Sequence, residues 1–159
     1  MNFISLTFVF SFPVVVLLYW KIPWKYRELF LLAVSYFFYI KESSWAGGLL
    51  LLTTAITYLA GIAVEKGRYR RAWLILAVTV CLGFLIGLKY SVPPVGISFY
   101  TFQTMAYVID VYRGEISAEK SPLSYALFVS FFPQLVAGPI ERAGNLLGQL
   151  KEKHTMRGE

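Results

Sequence analysis

Cysteine is nearly absent from this chain: Cys81 stands alone, which excludes an intrachain disulfide and a cysteine-rich metal site and leaves packing as its expected role. Histidine is as scarce. His154 is the single one, in the hydrophilic run Lys151-Glu152-Lys153-His154-Thr155-Met156-Arg157. A general base must reach both its substrate and a positioning partner, and nothing near His154 supplies either, so it reads as a solvated tail residue. Serine-nucleophile motifs, phosphate-binding loops and metal-ligand spacings are missing too, so no catalytic residue and no metal site is assigned. Charge is the last shortage. Only 15% of residues are charged while 57% are hydrophobic and 18% aromatic, against about a quarter charged in an ordinary soluble domain.

What is present is apolar sequence in long runs, which marks an integral membrane protein with the lipid bilayer as its partner. The formal net charge of +6 would suit nucleic acid. Yet the lysines and arginines sit in short clusters between uncharged runs, the pattern lipid topology produces, so no nucleic-acid partner is expected. A chain in lipid must satisfy its backbone internally, and these runs lack the strict alternation of a barrel. The expected fold is all-α, a polytopic transmembrane bundle of about six hydrophobic segments, some broken or re-entrant, forming one membrane domain over residues 1–159.

The uncharged runs are Phe3 to Trp20, Leu29 to Ile40, Ser43 to Val64, Ala72 to Leu88, Val95 to Ile109 and Ser121 to Ile140. Crossing the hydrocarbon takes about 20 helical residues, with about 17 as a minimum. The second run falls short at 12 residues and is a re-entrant candidate unless Tyr26, Arg27 and Glu28 lie at the interface. Pro93-Pro94 place the start of the fifth helix at Val95. Pro133 and Pro139 break the sixth run, and broken helices at membrane depth are tolerated where they are buried or line a wet cavity, which makes this segment a candidate cavity wall. No basic residue precedes the first run, unlike a cleavable signal, so it is read as a retained span entering with its N-terminus outside. The loop of Lys21, Lys25 and Arg27 and that of Lys66, Arg68, Arg70 and Arg71 then face the cytoplasm. The basic tail fits this orientation only if the second, fifth or sixth segment does not cross. Gly83 and Gly87, and Thr57 and Gly61, offer two small-residue faces for helix packing.

On a helix from Val95, the residues Gly96, Tyr100, Gln103, Tyr107 and Asp110 follow steps of four and three, which puts them on one face. Phe99, Phe102, Ala106 and Ile109 point elsewhere. Polar groups in a membrane segment are costly and turn inward, so the stripe reads either as part of a polar path or as hydrogen bonding between helices. Asp110 and Arg113 are spaced for a local ion pair. Glu141 and Arg142 follow the broken sixth run, suited to a cavity mouth or to interfacial anchoring.

The segment Pro94-Val95-Gly96-Ile97-Ser98-Phe99-Tyr100-Thr101-Phe102-Gln103, continued to Gly114, resembles the membrane-bound O-acyltransferase family. So does Phe131-Phe132-Pro133-Gln134-Leu135-Val136-Ala137-Gly138-Pro139-Ile140-Glu141-Arg142, and the branch is that of the alginate O-acetyltransferases. The resemblance implies a many-helix enzyme of the bacterial inner membrane that moves an acyl group from a thioester donor, with no bound cofactor, onto a hydroxyl of an exported polysaccharide such as alginate, with periplasmic or membrane acetylation proteins as partners. It makes Tyr100, Gln103, Tyr107, Asp110, Gln134, Pro139, Glu141 and Arg142 candidates for lining the substrate funnel. Two departures stand out. Only Ser91, Val92 and Pro93 separate Leu88-Lys89-Tyr90 from Pro94, where relatives are expected to carry a longer segment. The family's catalytic histidine, expected in a C-terminal half, has no counterpart here. The chain is therefore expected to be the N-terminal portion of a larger acyltransferase domain, inactive alone. The rival reading is a complete small membrane protein that binds a partner or conducts a solute.

Overall fold

A computed structural model describes residues 6–42, 44–91, 96–131, 144, 147 and 148. Among these residues six α-helices follow one another: α1 (Leu6–Lys21), α2 (Trp24–Glu42), α3 (Ser44–Lys66), α4 (Arg70–Lys89), α5 (Ile97–Arg113) and α6 (Pro122–Ser130). No strand occurs among the described residues, so the all-α expectation holds. Two helices, α3 and α4, are long and apolar enough to cross a membrane.

Helix α3 is the hub, packing on α2, α4, α5 and α6. Its buried residues Ala46, Leu50, Thr53, Thr54, Thr57, Ala60, Gly61 and Val64 recur at steps of three and four, one stripe down the helix. The threonines are affordable there because each hydroxyl donates to the carbonyl one turn back: Thr53 to Leu49 at 2.9 Å, Thr54 to Leu50 at 2.6 Å and Thr57 to Thr53 at 2.7 Å. No polar hydrogen is stranded.

Helix α2 runs unbroken for 19 residues, about 28 Å at 1.5 Å per residue, rather than stopping at the 12-residue run. The extra turns hold charge without stranding it. Arg27 lies against the rings of Tyr19, Trp20 and Trp24, and Glu28 Oε2 accepts a 2.9 Å hydrogen bond from Ser124 Oγ of α6. Helix α5 starts at Ile97, two residues after the expected point. Gly96 precedes it with φ 77° and Gly114 ends it with φ 76°, both in the left-handed region where glycine is at home. Gly114 N–H donates to the carbonyls of Asp110 and Val111, closing the last turn. The helix of the sixth run is short. Helix α6 begins on Pro122 behind the Ser121 cap and ends at Ser130, nine residues in all, about 14 Å long. Pro133 and Pro139 lie outside the described residues.

The two small-residue faces separate. Gly61 is buried against α5, whereas Gly83 and Gly87 are exposed and a methyl group built on either meets nothing within 4 Å. The reason is register. Helix α4 packs inward through Ala77, Cys81 and Leu85, spaced at four, and Gly83 and Gly87 sit two residues on, roughly 200° around the helix. Gly83→Ala is therefore expected to leave the fold intact and to raise stability by about 0.5–1 kcal/mol through helix propensity. A shift of the detergent-unfolding midpoint to lower stability would show that this face is occupied.

Candidate functional site

The helical stripe of α5 forms as its spacing requires. Tyr100 is 1% exposed, Gln103 3% and Tyr107 0%, while Phe99 and Phe102 on the other side are 46% and 43% exposed. Gln103 and Tyr107 face the region where α3 and α6 meet α5. Gln103 Nε2 donates to the backbone carbonyl of Phe128 on α6 at 2.9 Å, a helix-to-helix hydrogen bond. The Tyr107 ring packs at a tilt against that of Tyr125, centres 4.7 Å apart, and its hydroxyl accepts from the Glu119 N–H at 2.8 Å. Asp110 sits at the far end, half-buried. Arg113 pairs with Glu115 at 3.0 Å, so the ion pair expected with Asp110 gives way to one across the turn, where Gly114 folds the chain back.

Gly61 explains how Tyr107 reaches the centre. A Cβ on Gly61 would stand 2.7 Å from Tyr107 Cε1 and 2.9 Å from its hydroxyl, so the phenol ring occupies the space a side chain would take. Tyr125 completes the cluster: fully buried, it donates to Thr57 Oγ1 at 2.8 Å and packs against Tyr58 and Phe128. The segment from Gly114 to Ser121 closes the end of this cluster. Tyr58 OH donates to the Lys120 carbonyl at 2.7 Å, Glu65 Oε1 accepts from Ala118 N–H at 3.1 Å, and Glu119 Oε1 accepts from Ser121 N–H at 3.1 Å.

Three hydroxyls stand apart from this bonded set. Tyr100 OH and, on α2, Ser35 Oγ and Tyr36 OH are buried with no hydrogen-bond partner among the described residues. Buried hydroxyls are satisfied in the great majority of cases, so these atoms are exceptions within the bundle. The remaining funnel candidates, Gln134, Pro139, Glu141 and Arg142, lie outside the described residues, as does His154. Among the described residues no group of histidine, cysteine, aspartate and glutamate is placed to hold a metal. What the site provides is hydroxyl and amide donors on apolar, aromatic walls. A nucleophile paired with a base is absent from the described residues.

Several contributors were not singled out from the sequence. Tyr125, Ser124 and Ser35 all take part, and each lies in a run whose apolar neighbours drew the reading. The signal available was the spacing of Ser121, Ser124 and Tyr125, a capped helix start with polar residues on one side.

The chain is 35% identical to the probable alginate O-acetylase AlgI of Pseudomonas aeruginosa over 189 residues, covering 98% of this chain and 36% of that protein. It is 34% identical to the protein of the same name in Azotobacter vinelandii, over 98% of this chain and 37% of the relative. A peptidoglycan O-acetyltransferase of Helicobacter pylori is 28% identical over 81% of this chain and 33% of its own length. The chain spans about a third of the length of these relatives. The alignment to the first is longer than the 159 residues of this chain, so the relative carries residues inside the matched region that have no counterpart here. No family model and no solved structure matches.

Proposed function

We propose, for a chain related over nearly its whole length to the alginate O-acetylase branch of the membrane-bound O-acyltransferases, that it forms one wall of an acyl-transfer vestibule and carries no acyl transfer alone. The match over 98% of the chain carries this reading. The relatives are named for O-acetylation of alginate and of peptidoglycan, so the acceptor in the whole enzyme is a hydroxyl of an exported polysaccharide and the donor an acyl thioester. Tyr100, Gln103 and Tyr107 supply the inner face, with Asp110 at its end and Gln134, Pro139, Glu141 and Arg142 continuing the wall. The free hydroxyls of Tyr100 and Ser35 would meet sugar hydroxyls or ordered water at that wall, replacing the hydrogen bonds that burial removed. The protein sits in the bacterial inner membrane, its N-terminus outside, beside acetylation partner proteins.

Orientation is what this wall contributes to the reaction. Holding a hydroxyl against an acyl carbonyl is a large share of catalysis, but removing the hydroxyl proton takes a base, and assistance of that kind is typically worth about 10² to 10⁴-fold. With no nucleophile paired with a base among the described residues, the purified chain in liposomes is expected to transfer acetyl from a thioester to polysaccharide no faster than a protein-free control. Turnover well above that control would overturn the proposal and direct attention to Asp110. A solute flux through the same liposomes would favour the conducting-bundle reading instead.

A further inference from the structure

Helices α1 and α2 meet through a seam that opens midway into an apolar groove of about 350 Å³, walled by Phe10, Val14, Val15, Val34, Phe37 and Phe38. That volume is within the roughly 300–1,000 Å³ of ligand pockets. Its rim is open, with Phe10 71% and Phe37 63% exposed. Followed along the helices, the same seam leads to a positive group. Val15 and Tyr19 are one turn apart on α1, and Arg27 and Val34 two turns apart on α2, so Arg27 and Tyr19 lie on the groove side at its end nearer the α1–α2 turn. The distance from Arg27 to the level of Val34 is about 10 Å of helix.

Arg27 is held there in a particular way. Its guanidinium carbon lies 4.9 Å from the ring centre of Tyr19, 5.4 Å from Trp20 and 5.6 Å from Trp24, and Nε donates to the Ile22 carbonyl at 3.0 Å. Rings cover the guanidinium and fix it, and among the described residues its Nη groups meet no protein acceptor. Lys21 and Lys25 are exposed beside it. The carboxylate of Glu28, the next residue, is engaged by Ser124 Oγ. An ordered fork of donors, two further cations and an apolar slot about two turns away complement one kind of molecule.

We propose that the α1–α2 seam is a binding site for an anionic glycerophospholipid, its phosphodiester bonded to Arg27 between Tyr19, Trp20 and Trp24, and an acyl chain lying in the groove. Arginine suits the phosphodiester because its planar fork matches two oxygens. The lysines add the preference for a net negative headgroup, each basic residue near an anionic surface contributing roughly fivefold. Bound lipid also fills a seam that protein leaves open, clasping α1 to the bundle.

The test uses the full chain in nanodiscs made from equal parts of phosphatidylglycerol and phosphatidylcholine, extracted gently and examined by native mass spectrometry. The expected result is retained lipid enriched roughly fivefold or more in phosphatidylglycerol, falling as salt rises. Arg27→Gln is expected to bring the retained mixture to the bulk ratio, and Val15→Phe, which fills the groove without touching charge, to lower retention of both lipids. Equal retention of the two lipids by the wild-type chain overturns the proposal. So does enrichment that survives both substitutions. Should Arg27→Gln fail to fold, the wild-type salt series and Val15→Phe decide: salt-insensitive enrichment, or groove filling without loss of lipid, sinks the site.

Discussion

Replacing Gly61 by leucine is expected to abolish the native bundle. The hydrogen on Gly61 faces the phenol ring of Tyr107, and even a methyl group would stand 2.7 Å from Cε1. A side-chain tip can often swing aside, but this one has nowhere to go. Tyr107 is fully buried, is packed against Tyr125 with ring centres 4.7 Å apart, and accepts the Glu119 N–H through its hydroxyl. Moving it breaks that packing, frees the loop that closes the cluster, and separates α5 from α3. Overpacking a tight core by a few methylenes costs about 1–3 kcal/mol, and here the loss of the ring's own interactions adds to it, against a total stability of roughly 5–15 kcal/mol for a typical domain. Gly61→Ala is expected to survive with a loss of about 1–3 kcal/mol, and Gly61→Leu to give no folded monomer by size-exclusion chromatography in detergent. A Gly61→Leu chain with wild-type thermal stability would show that α3 and α5 do not approach as described.

That contact also shows what sequence can and cannot disclose. The Tyr100, Gln103 and Tyr107 stripe was legible because helical spacing alone puts the residues on one face, and polar groups in an apolar segment have one favourable direction. Thr57 and Gly61 were legible as a small-residue face, yet so were Gly83 and Gly87, and only the first pair is packed. Small residues permit close approach without specifying which helix arrives; the register of Ala77, Cys81 and Leu85 turned the second pair outward. The length of α2 was hidden for a different reason. Charge at Arg27 and Glu28 argued for an apolar run beginning only after them, and what carries the helix through is tertiary: aromatic rings from α1 and a serine hydroxyl 96 positions away. Pro133 suggested where the sixth run breaks, but α6 already ends at Ser130, a boundary that no residue type announced. The family relationship was legible from two short motifs because such stretches combine proline, glycine and polar residues in an order that hydrophobic patterning alone would not produce.

Tyr125 is the second residue on which the site depends, and Tyr125→Ala is expected to cost about 3–5 kcal/mol, the range for deleting a large buried ring. It is 0% exposed and lies among Tyr58, Tyr107 and Phe128, with ring centres 5.6, 4.7 and 5.9 Å away, so the cavity left behind opens between α3, α5 and α6. The hydroxyl accounts for little of this. Its 2.8 Å bond to Thr57 Oγ1 is a membrane-type side-chain bond, for which double-mutant cycles average about 0.6 kcal/mol, and Thr57 keeps its own donation to the Thr53 carbonyl. Tyr125→Phe should therefore be mild, and the cycle of Tyr125→Phe with Thr57→Val should return a coupling of about 0.6 kcal/mol. The three measurements separate shape from polarity, using denaturant-detergent titrations followed by helical circular dichroism. A severe Tyr125→Ala with a mild Tyr125→Phe means that α6 is docked by ring packing, which holds the Phe128 carbonyl where Gln103 reaches it. A cost for Tyr125→Phe equal to that for Tyr125→Ala would instead make the hydroxyl the essential element, and would require the Thr57 bond to be far stronger than membrane hydrogen bonds are. Near-neutral behaviour of both would detach α6 from this face and remove the wall on which the vestibule proposal rests.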